Sequence, residues 1–381
     1  MKIDGPWLHA AGTQALLHAL ASDGHQALFV GGCVRNAILG AGIHDVDIAT
    51  DATPDKVIEI AEKAGLHTVP TGVDHGTVTV ISGGVSHEVT TLRRDVETDG
   101  RHATVAYSTS VAEDAARRDF TMNALFAQAD GTVIDPLSGM GDVLARRVRF
   151  VGNAEARIHE DYLRILRFFR FYAIYGDPAQ GIDAEGLAAC AANLAGIDTL
   201  SHERIGAEME KLLSALDPAP ALAVMEQSGV LGAVLPGASG RAVPILVHLE
   251  AGNPRRWHCR LAVLGGQDVA DRFRLSRVDA TTVDKITTEI GSGLAPVALA
   301  WRHGAVLAGD IVHARAAMFG GLLPDHWQAD VARGEAARFP VDASDLMPTL
   351  QGAALGAKLR ELQEIWLASG LSLTRDQLLA Q

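Results

Sequence analysis

Apolar residues along the first 150 positions change period repeatedly. Leu16, Leu17 and Leu20 form the apolar side of a short helix within residues 1–25. Leu28-Phe29-Val30 is a compact apolar run that stops at Gly31-Gly32. Val34, Ala37 and Ile38 follow at helical spacing, up to Gly40 and Gly42. Asp45 and Asp47 then alternate with Val46 and Ile48, which is the period of a strand. Thr53-Pro54 is a helix start, with proline at the first helical position. Val57, Ile58, Ile60 and Ala61 supply that helix's buried stripe, and Gly65 ends it. Residues 66–70, 76–81 and 85–92 read as strands, the last two joined by the hairpin signal Ser82-Gly83-Gly84. Residues 93–110 are charged and aperiodic and read as a mobile loop ending in a short strand. A helix is expected over 111–127, then a small strand at 132–134 and a turn at 135–139.

Beyond Asn153 the pattern becomes helical almost throughout, beginning with 154–175, 183–195, 201–215 and 219–228. Short Gly- and Pro-containing breaks between these segments imply packed neighbouring helices. The expected architecture is a mixed α+β head, residues 1–150, followed by an all-α portion. A boundary near 235 divides that portion into a neck, 151–235, and a body and tail, 236–381.

A chain of 381 residues with 48% hydrophobic content has ample material for a core. No apolar leader opens it, and no charge-free run is long enough to span a bilayer, so neither secretion nor a membrane partner is expected. Three widely separated cysteines, Cys33, Cys190 and Cys259, fit a reducing, cytoplasmic setting better than a disulfide framework or a zinc site. The net charge of −13 argues against simple electrostatic binding of nucleic acid. An RNA partner would need a local basic path.

Candidate chemistry concentrates in three places. The alternation at 45–48 puts Asp45 and Asp47 on one face, with Val46 and Ile48 turned to the core. Such a pair is either a solvated acidic face or a site for a hard divalent cation, Mg²⁺ above all, completed by substrate phosphates. The preceding glycines favour phosphate chemistry. The second cluster is Arg117-Arg118-Asp119, followed by Asn123. It reads either as a charge cluster or as bidentate phosphate contacts with Asp119 and Asn123 directed at a sugar. The third is Glu160-Asp161-Tyr162-Leu163-Arg164, with Arg167 and Arg170 beyond. Asp161 and Arg164 are either an i, i+3 ion pair or a base-reading pair. Cytosine and adenine both offer an exocyclic amine beside a ring-nitrogen acceptor, matching a carboxylate beside a guanidinium. Uracil and guanine would leave both groups mismatched. Ser201-His202-Glu203-Arg204 reads as an architectural helix start.

In this order the clusters resemble the bacterial branch of class II tRNA nucleotidyltransferases, the CCA-adding enzymes, over about residues 28–213. GGCVR and HDVDIAT resemble the first motif, and RRDFTMNAL the second. EDYLRILRFFRF is similar to the nucleotide-template helix, and SHERIGAEMEKLL to the segment that stabilises it. The resemblance implies addition of C, C and A to tRNA 3′ ends from CTP and ATP without a nucleic-acid template. It implies Mg²⁺ on Asp45 and Asp47, and nucleotide contacts from Gly32, Arg35 and Arg118. Asp161 and Arg164 would read the base, with Arg167 and Arg170 as further nucleotide contacts. Glu88 is a candidate for an additional acidic group near the metals. The family pattern usually has Asp where this chain has Asn36.

The expected reaction is in-line attack of the tRNA 3′-hydroxyl on the α-phosphate, releasing pyrophosphate, with two Mg²⁺ at the attacking and leaving oxygens. CC-only or A-only addition, poly(A) synthesis, and a non-catalytic RNA- or nucleotide-binding role are the alternatives. The stretch from Arg93 to His102 resembles the loop CCA-adding enzymes use in switching from C to A. Arg255, Arg256, Arg260, Arg272, Arg274 and Arg277 are either a tRNA-contacting stretch or a solvated helix face.

Overall fold

The computed structural model describes residues 1–70, 72–98, 103–251 and 256–381. The chain divides into two compact units, Met1–Leu200 and Ser201–Gln381.

In the first unit, α1 (Pro6–His9) and α2 (Ala11–Ser22) precede β1 (Ala27–Val30), α3 (Gly32–Leu39), β2 (Asp47–Thr50) and α4 (Pro54–Lys63). Then come β3 (His67–Val69), β4 (Thr77–Ser82), β5 (Val85–Thr91), β6 (Arg93–Thr98), β7 (Ala103–Tyr107) and α5 (Val111–Ala116). The short strands β8 (Phe126–Ala127) and β9 (Val133–Ile134) close the main sheet, whose order is β3-β4-β5-β2-β1-β8-β9, and the short helix α6 (Met140–Leu144) follows. Only β2 and β5 run parallel within it, among the described residues. The β4–β5 hairpin turns through Gly83 and Gly84, both at positive φ, the backbone a two-residue turn requires.

The sheet is covered on both faces. Leu16, Leu17 and Leu20 of α2 and Val57, Ile60 and Ala61 of α4 are buried, and both helices pack on its strands. Leu28, Val30 and Ala49 lie in another cluster with Leu92, Ala115, Ala124, Phe126 and Val151. Ala49 has the same strand parity as Asp45 and Asp47. The acidic face is therefore open only at the start of β2 and roofed by side chains one step later.

Three expected elements differ. In the stretch expected to be a loop, β6 and β7 form a separate antiparallel ribbon, residues 99–102 lying outside the described residues. Backbone pairing needs no apolar alternation, so a charged, aperiodic stretch can still form a ribbon. The helix expected over 111–127 stops at Ala116, followed by a 3₁₀ turn at Thr121–Asn123 and then β8. Phe120 explains the stop. It bridges to Phe150 in extended conformation, and its ring lies 4.9–6.3 Å from those of Phe150, Phe168 and Phe171. Burying that ring is worth more than continuing a six-residue helix.

The helix expected over 154–175 is two: α7 (Ala154–Glu160) and α8 (Leu163–Tyr175). Asp161 sits between them in extended conformation, φ −158° and ψ 106°. Tyr162 fills the break and packs on Gly196, where an added Cβ would lie 1.9 Å from the tyrosine ring. α9 (Ala184–Ala192) follows, capped by the Asp183 carboxylate.

The second unit is helical, starting with α10 (His202–Leu213), which Ser201 caps as expected. The arginines of the expected basic stretch have separate surroundings. Arg260 is fully buried, paired with Glu250 at 2.7 Å and donating to the carbonyls of Leu213, Ala215 and Leu216 at the end of α10. Arg256 pairs with buried Asp310, and Arg274 with Glu203 and Asp271. Arg272 is half-buried and Arg277 exposed; Arg255 lies outside the described residues. Of these arginines, among the described residues, only Arg260 is an internal strut; Arg256, Arg274 and Arg277 are exposed, the first two with carboxylate partners. Among the described residues, no helix is long and apolar enough to cross a membrane.

Candidate active site

The site begins at Gly31, where β1 must turn into α3. Its φ of 70° and ψ of −116° suit glycine alone. An added Cβ would lie 3.3 Å from Arg118 Nη1. This close approach puts the guanidinium of Arg118 beside the first amides of α3. Arg118 is held there by Asp114, which accepts from Nε at 3.1 Å and Nη2 at 2.7 Å. Asp114 is almost wholly buried and also accepts from the Arg93 N–H. Sequence reasoning missed Asp114, although its i, i+4 spacing to Arg118 was visible.

Asp47 opens β2 and pairs in register with Glu88 on parallel β5. Asp45 lies two residues earlier, exposed and just outside the strand. Burial pushes the Asp47 carboxyl up to about 6; Glu88 and Asp45 push the same way, and Arg118 opposes them. Asp45, Glu88 and Arg118 thus all lie close enough to act on Asp47. A carboxylate raised in this way is short of positive charge, and a cation satisfies it. Among the described residues no three His, Cys, Asp or Glu side chains form a closed metal cage. The donor set fits Mg²⁺ bound by one or two carboxylates with the remaining positions open to water and substrate phosphate.

Arg35 was expected among the phosphate contacts. Instead it is 5% exposed, because α3 aims it at α8. Its guanidinium lies 3.9 Å above the Tyr175 ring and donates to the Tyr175 hydroxyl at 2.7 Å, to Asn36 Oδ1 and to Asn123 Oδ1. Burial holds its pKa below the usual arginine value. Asp119 and Asn123 are likewise engaged internally rather than presented to a sugar. Asp119 accepts from Arg167 Nε at 2.8 Å, from the Phe120 N–H and from Asn123 Nδ2. Burial alone would raise the Asp119 carboxyl; Arg167 and these hydrogen bonds hold it below its ordinary value. Arg167 is therefore tied to the second motif. Arg170 is half-buried, 4.6 Å from the centroid of the Phe171 ring.

The third motif is also organised by its break. Asp161 Oδ1 accepts from the Leu163 N–H in the turn between α7 and α8, and Asp161 itself is extended, outside the helix that carries Arg164. Arg164 donates to Glu160 Oε2 at 2.6 Å, to the Arg157 carbonyl at 2.9 Å and to the Arg117 carbonyl at 3.2 Å. Glu160 is itself held by Arg157 at 2.6 Å. The Arg117 contact ties the base-reading candidate to the phosphate-binding motif. Tyr175 is a further residue that sequence reasoning did not single out, and Glu160 was named there only as a member of its cluster.

A seven-stranded head that carries an acidic strand, a glycine turn and a capped arginine helix defines a nucleotidyltransferase-type site. Residues 27–149 match the family model of the poly A polymerase head domain, and residues 181–240 that of the probable RNA and SrmB-binding site of polymerase A. The CCA-adding enzyme of Geobacillus thermodenitrificans is 38% identical over 291 residues, 74% of this chain and 69% of that protein. The mitochondrial CCA tRNA nucleotidyltransferase 1 of Mus musculus is 43% identical over 218 residues, 56% of this chain. That match spans only 50% of the mouse protein's length. The crystal structure of the Bacillus stearothermophilus CCA-adding enzyme in complex with CTP superimposes with a TM-score of 0.77 at 28% identity, covering 99% of this chain and 97% of the other. The chain belongs to the CCA-adding enzyme family.

Proposed function

We propose that this chain adds C, C and A to tRNA 3′ ends, using CTP and ATP. The observation that carries this reading is the meeting, within one compact unit, of the acidic strand, the Arg118 turn and the Asp161–Arg164 break. In this reading residues 1–150 are the catalytic head, 151–235 the neck with the template helix, and 236–381 the body and tail that hold tRNA. Asp45 and Asp47, with Glu88 beside them, would hold Mg²⁺, which supplies charge stabilisation to the transferring phosphate. Gly32 and Arg118 hold the triphosphate, one through a backbone amide at a helix start and the other through a fork fixed by Asp114. Asp161 and Arg164 select bases that offer an amine beside a ring acceptor. Arg35 and Arg167 act one layer back, locking Asn36, Asn123 and Asp119. Arg170 remains a candidate nucleotide contact.

Strand β6 lies within the stretch from Arg93 to His102, of which residues 99–102 are outside the described residues; the resemblance of that stretch to the C-to-A switching loop favours full CCA addition over CC addition alone. Three free, buried cysteines support a reducing, cytoplasmic setting. Incubating the protein with tRNA lacking its 3′ end, Mg²⁺ and labelled CTP or ATP tests the proposal in one gel. Two C additions followed by one A are expected, and none with Asp45→Ala. A long A tail, A without C, or no incorporation refutes it.

A further inference from the structure

The loop between α3 and β2 delivers Asp45, yet little holds it. Ala41, Gly42, His44 and Asp45 are exposed, and Gly40 and Gly42 leave the backbone free to vary. Among the described residues, the hydrogen bonds that hold residues 41–44 both come from Asn36. The Asn36 carbonyl accepts from the Ala41 N–H at 2.9 Å, and its Nδ2 donates to the Gly42 carbonyl at 2.8 Å.

The orientation of that amide is set from behind. Arg35 Nε and Nη2 both donate to Asn36 Oδ1, at 3.0 and 2.8 Å. Arg35 is itself immobilised by Tyr175, Asn123 and the Tyr175 ring face. Oδ1 must therefore face the guanidinium, and Nδ2 is left to face Gly42. A carboxylate at position 36 would keep the arginine but turn an acceptor toward another acceptor, the Gly42 carbonyl. Only an amide satisfies both sides.

We propose that Asn36 is a positioning residue that pins the 41–44 loop and so fixes Asp45 beside Asp47. The proposal rests on the functional reading above for its consequence, but not for the tether itself. Second-layer groups of this kind change metal affinity by about 10- to 100-fold when removed.

The test is Asn36→Asp, with Asn36→Ser as an uncharged second variant too short to reach Gly42. Three readouts are taken: amide hydrogen exchange of a peptide covering 41–45, Mn²⁺ binding in the presence of CTP without tRNA, and the kcat and KM for C addition. Both variants should exchange faster by about tenfold or more at the Ala41 amide, the hydrogen-bonded amide of this peptide, with α4 unchanged. Mn²⁺ binding should weaken by at least about tenfold. The kcat should fall while the KM for CTP holds, because the triphosphate contacts are untouched. Wild-type exchange at 41–45, or wild-type Mn²⁺ affinity, in both variants overturns the proposal. A wild-type protein that adds no nucleotide refutes the functional reading instead, and the exchange data then decide the tether alone.

Discussion

Asp47 carries a cost that the fold should reveal once it is removed. Its carboxyl rises from the usual 3.8 to about 6, first through burial and then through Glu88 and Asp45. The native state therefore keeps a proton that the unfolded chain releases. The penalty is absent below about pH 4, grows as pH rises, and is complete above about pH 6. At about 1.36 kcal/mol per pH unit it reaches about 3 kcal/mol. Partial exposure lowers the figure to roughly 1–3 kcal/mol. Asp47→Asn abolishes that ionisation with little change in shape. At pH 7.5 in chelator, the variant's first unit should melt about 2–10 °C above the wild type. At pH 5 the gain should shrink by about half, because the wild-type carboxyl is then mostly protonated. Mg²⁺ with CTP should raise the wild-type melting temperature and leave the variant unmoved. Nucleotide addition should be lost in the variant. A variant no more stable than wild type at pH 7.5, or a gain that does not shrink at pH 5, would refute the electrostatic reasoning.

Gly196→Ala should force Tyr162 from its seat and cost about 1–3 kcal/mol of stability; a melt equal to wild type would count against the packing argument. Arg164→Ala should leave the fold intact, since Glu160 keeps Arg157, yet reduce preference for CTP and ATP over UTP and GTP about 100-fold or more. Competition assays with mixed nucleotides measure this, and retained preference would sink the base-reading role. Arg260→Ala strands Glu250 without its partner and frees three carbonyls in the second unit, at a cost of roughly 3–5 kcal/mol read by urea unfolding. If Arg260 were instead a surface contact, stability would be unchanged.

The elements most legible in the sequence were those set by local rules. Leu28–Val30 ending at Gly31, the Thr53-Pro54 start and the Ser82-Gly83-Gly84 hairpin stand where period and backbone chemistry put them. Asp47 was legible for the same reason, at the start of β2, whereas Asp45 lies just outside the strand, where alternation does not position it. The misread elements were those in which a distant side chain overrode the local pattern. Phe120 ends one helix to reach Phe150 and Phe168, and Tyr162 breaks another against Gly196.

Residue type alone named the charged candidates, but it could not say which would be consumed inside the protein. Arginine suits phosphate, and Arg118, Arg35, Arg167 and Arg260 look alike in a string of letters. Tertiary packing separates them. Arg118 is held beside a glycine turn, Arg35 lies on Tyr175, Arg167 is locked to Asp119, and Arg260 is sealed under the end of α10. The sequence by itself determined which groups the chain owns and the faces on which short-range periodicity puts them. The tertiary structure decided which of those groups remain available, because burial and partner choice depend on residues up to about 140 positions away along the chain.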